Sequence, residues 1–87
     1  MGDTIAAVRS FIHQNFFVSG ELGDEDSLLD GGVVDSTGVL ELVDFLESKL
    51  GVKVLDEEIL PENLDSVARI ASFVERKRGA GGSRAAG

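Results

Sequence analysis

Six apolar residues, Val39, Leu40, Leu42, Val43, Leu46 and Leu50, recur at three- and four-residue steps and stop at Gly51. At about 100° per residue that spacing makes one apolar side of an α-helix, and a glycine just past it suits the helix end. Glu41, Asp44, Glu47 and Ser48 take up much of the other side. Such a helix needs apolar partners, and the chain supplies two more of its kind. Ile5, Val8 and Ile12 repeat helically after Asp3 or Thr4, either of which can cap a start, and Phe11 and Phe16 extend the stripe. Val67, Ile70, Ala71 and Val74 repeat after a cap at Asp65 or Ser66, with Arg76, Lys77 and Arg78 suited to the negative end of that helix dipole. Leu55 to Leu64, interrupted by Pro61, has room for one short turn. Val52-Lys53-Val54 alone is too short to make a sheet. The expectation is a small all-α bundle of three main helices plus one short helix.

Eighty-seven residues make one domain with a modest core. Residues 1–78 are expected to be that domain, and GAGGSRAAG (79–87), with nothing to bury, a flexible tail. The connection from residue 17 to 35 is long for a bundle, but Leu22, Leu28, Leu29, Val33 and Val34 give it reason to pack against the helices. The sequence has no cysteine, which removes disulfides and thiolate metal sites. No apolar run approaches the ~20 residues of a membrane span. MGDTIAAVRSFIHQ lacks a basic region followed by an apolar one, so cytoplasmic residence is expected.

Charge is unevenly placed. Between Glu21 and Asp65 there are 14 acidic residues against Lys49 and Lys53, a net of −12, within a chain whose total is −8. An acidic middle of that density repels nucleic-acid phosphate and favours basic protein surfaces. It does not build a calcium loop. Counted from Asp24, the fifth and sixth positions are Leu28 and Leu29, where an EF-hand needs an oxygen ligand and a glycine, so the cluster Asp24, Glu25, Asp26, Asp30 fails in its interior. No metal site is expected. A hydrolase is equally unsupported, because the only histidine is His13, in the first helix, and no G-x-S-x-G elbow occurs. No catalytic residue is therefore assigned.

The candidate site is Asp35-Ser36, at the mouth of the best helix. A helix start leaves N–H groups unpaired and favours an anion. Asp35 can accept from those N–H groups as the N-cap, which leaves the Ser36 hydroxyl exposed in the first turn, where a phosphoester would be well received.

With its acidic amphipathic helix, this serine resembles that of the acyl carrier protein family. The likeness spans roughly residues 4 to 76 and includes Gly32-Val33-Val34, Glu41-Leu42-Val43, Leu46-Glu47 and Leu50-Gly51. The resemblance implies a 4′-phosphopantetheine arm attached covalently to Ser36 by a phosphopantetheinyl transferase. It implies cargo held as a thioester on that arm, for fatty-acid, polyketide or specialised lipid biosynthesis. It also implies a monomer, served by a loading ligase and downstream transferases with basic docking surfaces. Asp35, Thr37, Glu41, Asp44 and Glu47 would meet those partners. Two positions depart from the fatty-acid carriers: Thr37 stands where Leu or Met is usual, and Asp44 where an exposed apolar residue is common. An aminoacyl carrier, D-alanyl-like or peptidyl, therefore stays open beside the acyl reading. From another class, a cofactor-free acidic interaction module also stays open.

Overall fold

The computed structural model describes residues 2–18 and 20–79. Helix α1 runs Gly2–Asn15, α2 Ser36–Lys49, α3 Pro61–Leu64 and α4 Val67–Arg78, with a 3₁₀ turn at Asp56–Glu58. Among the described residues there is no strand, and none of the helices is long and apolar enough to cross a membrane. The three longer helices form the bundle expected from the apolar spacing. The flexible tail expected over 79–87 lies, from Ala80 on, outside the described residues.

Helix α4 is the centre of the bundle. Val67, Ile70, Ala71 and Val74 are all fully buried, and Phe73, absent from the sequence-based stripe, is buried with them. They meet Val8 and Ile12 of α1 and Leu42 and Leu46 of α2 in one apolar cluster, which Leu64 of α3 and Leu28, Val34, Val52 and Val54 of the connections complete. Burying an aliphatic side chain of this size contributes roughly 1.5–3 kcal/mol, so these few residues carry much of the stability available to a small domain.

Three local expectations are corrected. Leu40 is 63% exposed. It lies about 160° around the helix from Leu42 at 3.6 residues per turn, so an α2 that buries Leu42 must turn Leu40 outward. Neither Asp3 nor Thr4 caps α1, since both lie inside the helix; Thr4 is buried, and its hydroxyl donates to Glu75 Oε2 of α4 at 2.6 Å. The Leu55–Leu64 segment holds two short turns, because Pro61 occupies the first position of α3, where its missing N–H and fixed φ cost nothing.

Helix ends are satisfied in several ways. Leu50 closes α2 and Gly51 follows with φ +70°, a backbone conformation that a Cβ would strain. Arg78 donates to the Leu50 carbonyl at 2.8 Å, which ties the end of α4 to the end of α2. Lys77 donates to both oxygens of Glu58, at 2.7 and 3.0 Å, and holds the 3₁₀ turn against α4.

The Lys77 bond, helped by the Leu55 N–H, lowers the Glu58 pKa, and the Thr4 hydroxyl lowers that of Glu75. A carboxyl with a lower pKa folded than unfolded favours the fold when ionised. That contribution is complete above the ordinary Glu value of 4.5 and is lost as pH falls through the lower folded values. Urea midpoints measured between about pH 6 and pH 3 should therefore fall more steeply for wild type than for the double variant Glu58→Gln, Glu75→Gln. Parallel curves would mean that neither carboxylate is linked to folding.

Candidate functional site

Ser36 is the first residue of α2 and is exposed. Its position is set by Asp35, whose backbone is extended (φ −105°, ψ −172°) and whose Oδ1 accepts from the Gly38 N–H at 2.7 Å. The Asp35 carbonyl accepts from Val39 N–H at 2.9 Å and begins the helical ladder. One carboxylate thus pairs an otherwise orphaned donor and meets the positive end of the dipole, while the serine next to it keeps its hydroxyl in solvent.

Gly38 explains the tight approach at this helix start. A Cβ there would come within 2.7 Å of the Phe16 ring and 3.2 Å of Val34. Phe16 also meets Phe11 edge-on, with ring centroids 5.8 Å apart, and Phe11 stacks on Phe45 at 4.3 Å. An aromatic chain therefore links the end of α1 to α2. A glycine in the first turn of an otherwise strong helix was the signal that could have announced it.

The approach to Asp35 is held from the other side. Leu28 is fully buried; its carbonyl accepts from Val33 N–H at 3.0 Å and Val34 N–H at 3.1 Å. Its own N–H donates to the Asp65 carbonyl at 2.6 Å. Asp65 does not cap α4, because Ser66 does, accepting from Arg69 N–H at 3.1 Å. The Asp65 carboxylate instead accepts from the Ser27 hydroxyl at 2.9 and 2.7 Å and from Leu29 N–H at 3.0 Å. Sequence reading missed this role, since nothing local marks a contact between residues 36 to 38 positions apart.

All the predicted partner residues are exposed, and Thr37, Glu41, Asp44 and Glu47 project from the solvent side of α2. Thr37, Glu41 and Asp44 line an open groove of about 940 Å³ between α1 and α2, together with Leu40, Phe11 and Phe45. Glu47 lies on Ser36's own flank, three turns on, and its Oε2 accepts from Val54 N–H at 3.0 Å. It supports the segment after α2 as well as facing solvent. Between α2 and α3 is a smaller apolar cavity of about 70 Å³, walled by Leu29, Val39, Ile59, Leu60, Pro61 and Leu64.

His13 is exposed beside Arg9 and Asp26, in a hollow lined by none of the residues around Ser36. Within the acidic loop Arg9 pairs with Asp24, and Asp26 accepts from Gly23 N–H at 2.8 Å. Among the described residues no three His, Cys, Asp or Glu side chains are grouped to hold a metal.

No family model matches the chain. It is 32% identical to an acyl carrier protein of Thermotoga maritima over 78 residues, 88% of this chain and 94% of that protein. The chain belongs to the acyl carrier protein family. It is also 42% identical to a D-alanyl carrier protein of Streptococcus pyogenes over 55 residues, 63% of this chain and 68% of that one. A carrier role is therefore shared by both kinds of relative, which differ by name in what they carry.

The cap at the front of this carrier's α2 has a measurable weight. Asp35→Ala should lower unfolding stability by about 1 kcal/mol, within a range of ~0.5–2, by orphaning the Gly38 N–H. Chemical denaturation followed by circular dichroism would measure it, and an unchanged midpoint would show that solvent replaces the carboxylate without loss.

Proposed function

We propose that this chain is a non-catalytic carrier whose Ser36 holds 4′-phosphopantetheine, with residues 1–78 as the carrier domain. The observation that supports this most is the exposed Ser36 hydroxyl at the first position of α2, beside an Asp35 already engaged as the cap. The group fits: a phosphodiester on Ser36 would meet the N-terminal dipole of a 14-residue helix. Asp35, held in place by Gly38 N–H, would flank it without occupying it. When bound, the group would supply a terminal thiol for thioester linkage, which this cysteine-free chain lacks.

In this reading a phosphopantetheinyl transferase delivers the arm from coenzyme A in the cytoplasm. A loading ligase and downstream transferases then approach across Thr37, Glu41 and Asp44. Opposite charge on those enzymes would speed encounter and set register. Acyl cargo for lipid or polyketide synthesis is the first assignment. A second, an aminoacyl cargo, is favoured by the likeness to the D-alanyl carrier and by the small cavity beside α2. About 70 Å³ is room for little more than two waters at ~30 Å³ each, so a long acyl chain would enter between α2 and α3 only by parting those walls.

Incubation with coenzyme A and a broad-specificity transferase should add one phosphopantetheine to the intact mass of wild type and none to Ser36→Ala. The variant should stay folded, since an exposed first-turn serine contributes within about 0.5 kcal/mol. Unmodified wild type would favour a cofactor-free interaction module with the same acidic surface.

Charge reversal at Glu41 and Asp44, sparing Glu47 because of its bond to Val54, should slow transfer from a loading ligase while leaving stability within about 0.5 kcal/mol. Wild-type rates should fall as added salt shortens the Debye length from ~10 Å at 0.1 M to ~3 Å at 1 M. Rates indifferent to both changes would assign these acids to solubility.

A further inference from the structure

We infer that Asp65 is a positioning residue for Ser36, acting through the loop that leads into α2; the inference rests on the carrier reading of Ser36. Asp65 closes α3, with its own N–H on the Pro61 carbonyl at 2.9 Å, and so sits where α3 meets α4. From there it makes three links to residues 27–29, the first of them forked. The Ser27 hydroxyl reaches both carboxylate oxygens, Leu29 N–H reaches Oδ1, and Leu28 N–H reaches the main-chain carbonyl. Ser27 passes the restraint on, because its Oγ also accepts from Asp30 N–H at 3.0 Å and its carbonyl from Gly31 N–H at 3.1 Å. Leu28 passes it further, through its carbonyl, to Val33 and Val34. Val34 precedes Asp35. A continuous hydrogen-bonded path thus joins Asp65 to the residue before the cap of α2.

The link to Val34 runs through the Asp65 main-chain carbonyl, and the carboxylate steadies it by holding Ser27 and Leu29 on either side of Leu28. Bonds to a carboxylate are stronger than neutral ones, and here one carboxylate gathers a hydroxyl and a backbone N–H that both belong to irregular chain. Burial of Leu28 would anchor a side chain without fixing the direction in which the loop leaves it. The links to the Asp65 carboxylate and carbonyl hold three consecutive residues, Leu28 and Leu29 by their backbone N–H and Ser27 by its side chain. Asp65 touches neither Ser36 nor any group bonded to it, so its effect is on how often the α2 start is presented in one geometry. A transferase that recognises only that geometry meets a fraction of the chain when the path is broken. The apparent affinity falls by that fraction while turnover of the bound chain does not.

The full-length chain, coenzyme A and a broad-specificity phosphopantetheinyl transferase provide the test. Asp65→Ala should raise KM for the carrier about tenfold with kcat at saturation unchanged within about twofold. Ser27→Ala should shift KM in the same direction, and Ser27→Thr, which keeps the hydroxyl, should restore it. Amide exchange in Asp65→Ala should lose protection at Leu28, Leu29, Val33 and Val34 while Ile70 and Val74 of α4 keep theirs. If circular dichroism shows Asp65→Ala partly unfolded at the assay temperature, Asp65→Asn and the Ser27 pair carry the comparison.

An unchanged KM in the Asp65 variant overturns the inference. So does protection lost equally across α1 and α4, which would make Asp65 a general stabiliser, and so does Ser27→Thr behaving as Ser27→Ala. Failure of the carrier reading would look different, since wild type itself would take up no group.

Discussion

Among the described residues between α1 and α2 there is no helix or strand, yet this connection delivers the exposed serine, and the seating of Leu28 beside the start of α4 holds it. An irregular segment can be buried only if its backbone polar groups find partners. Leu28 satisfies its N–H on Asp65 and its carbonyl on Val33 and Val34, so a fully buried leucine brings no unpaired backbone with it. A second tie, from Ala68 N–H to the Asp24 carbonyl at 2.8 Å, fastens the loop one turn further along α4. Through these contacts the bundle governs where α2 begins.

Helix α4 is consequently more than a wall of the core. Its apolar side supplies the largest share of fully buried residues, and its start receives the loop. Its basic end holds two connections: Lys77 takes Glu58, and Arg78 takes the last carbonyl of α2. The acidic middle of the chain is thus partly neutralised by internal pairing at α4. Around Ser36 the acids stay in solvent, and Thr37, Glu41 and Asp44 keep a shared edge along the α1 groove. That separation suits a carrier, in which the surface around the attachment point must stay free for successive enzymes. The core beneath can then be closed.

The packing also bears on cargo. Leu42 and Leu46 of α2 are fully covered, and the apolar space between α2 and α3 is small. Long apolar cargo would have to displace Val39, Ile59 or Leu64 from their present neighbours.

Periodicity in the sequence determined the three long helices, because apolar residues at helical spacing have one low-energy way to be buried together. It determined the Asp35 cap and the exposure of Ser36, since capping is decided within four residues of chain. It also determined the acidic character around that serine. Which side of α2 faces inward at Leu40, the turning of Thr4 toward Glu75 and the bond from Val54 N–H to Glu47 were decided by tertiary packing. So were the two short turns around Pro61, where segments too short to be stable alone are held by Lys77 and Leu64. The role of Asp65 is the clearest case. Locally it and Ser66 are equal candidates to cap α4, and only the arrival of Ser27 and Leu29, distant in sequence, assigns the cap to one and the loop to the other.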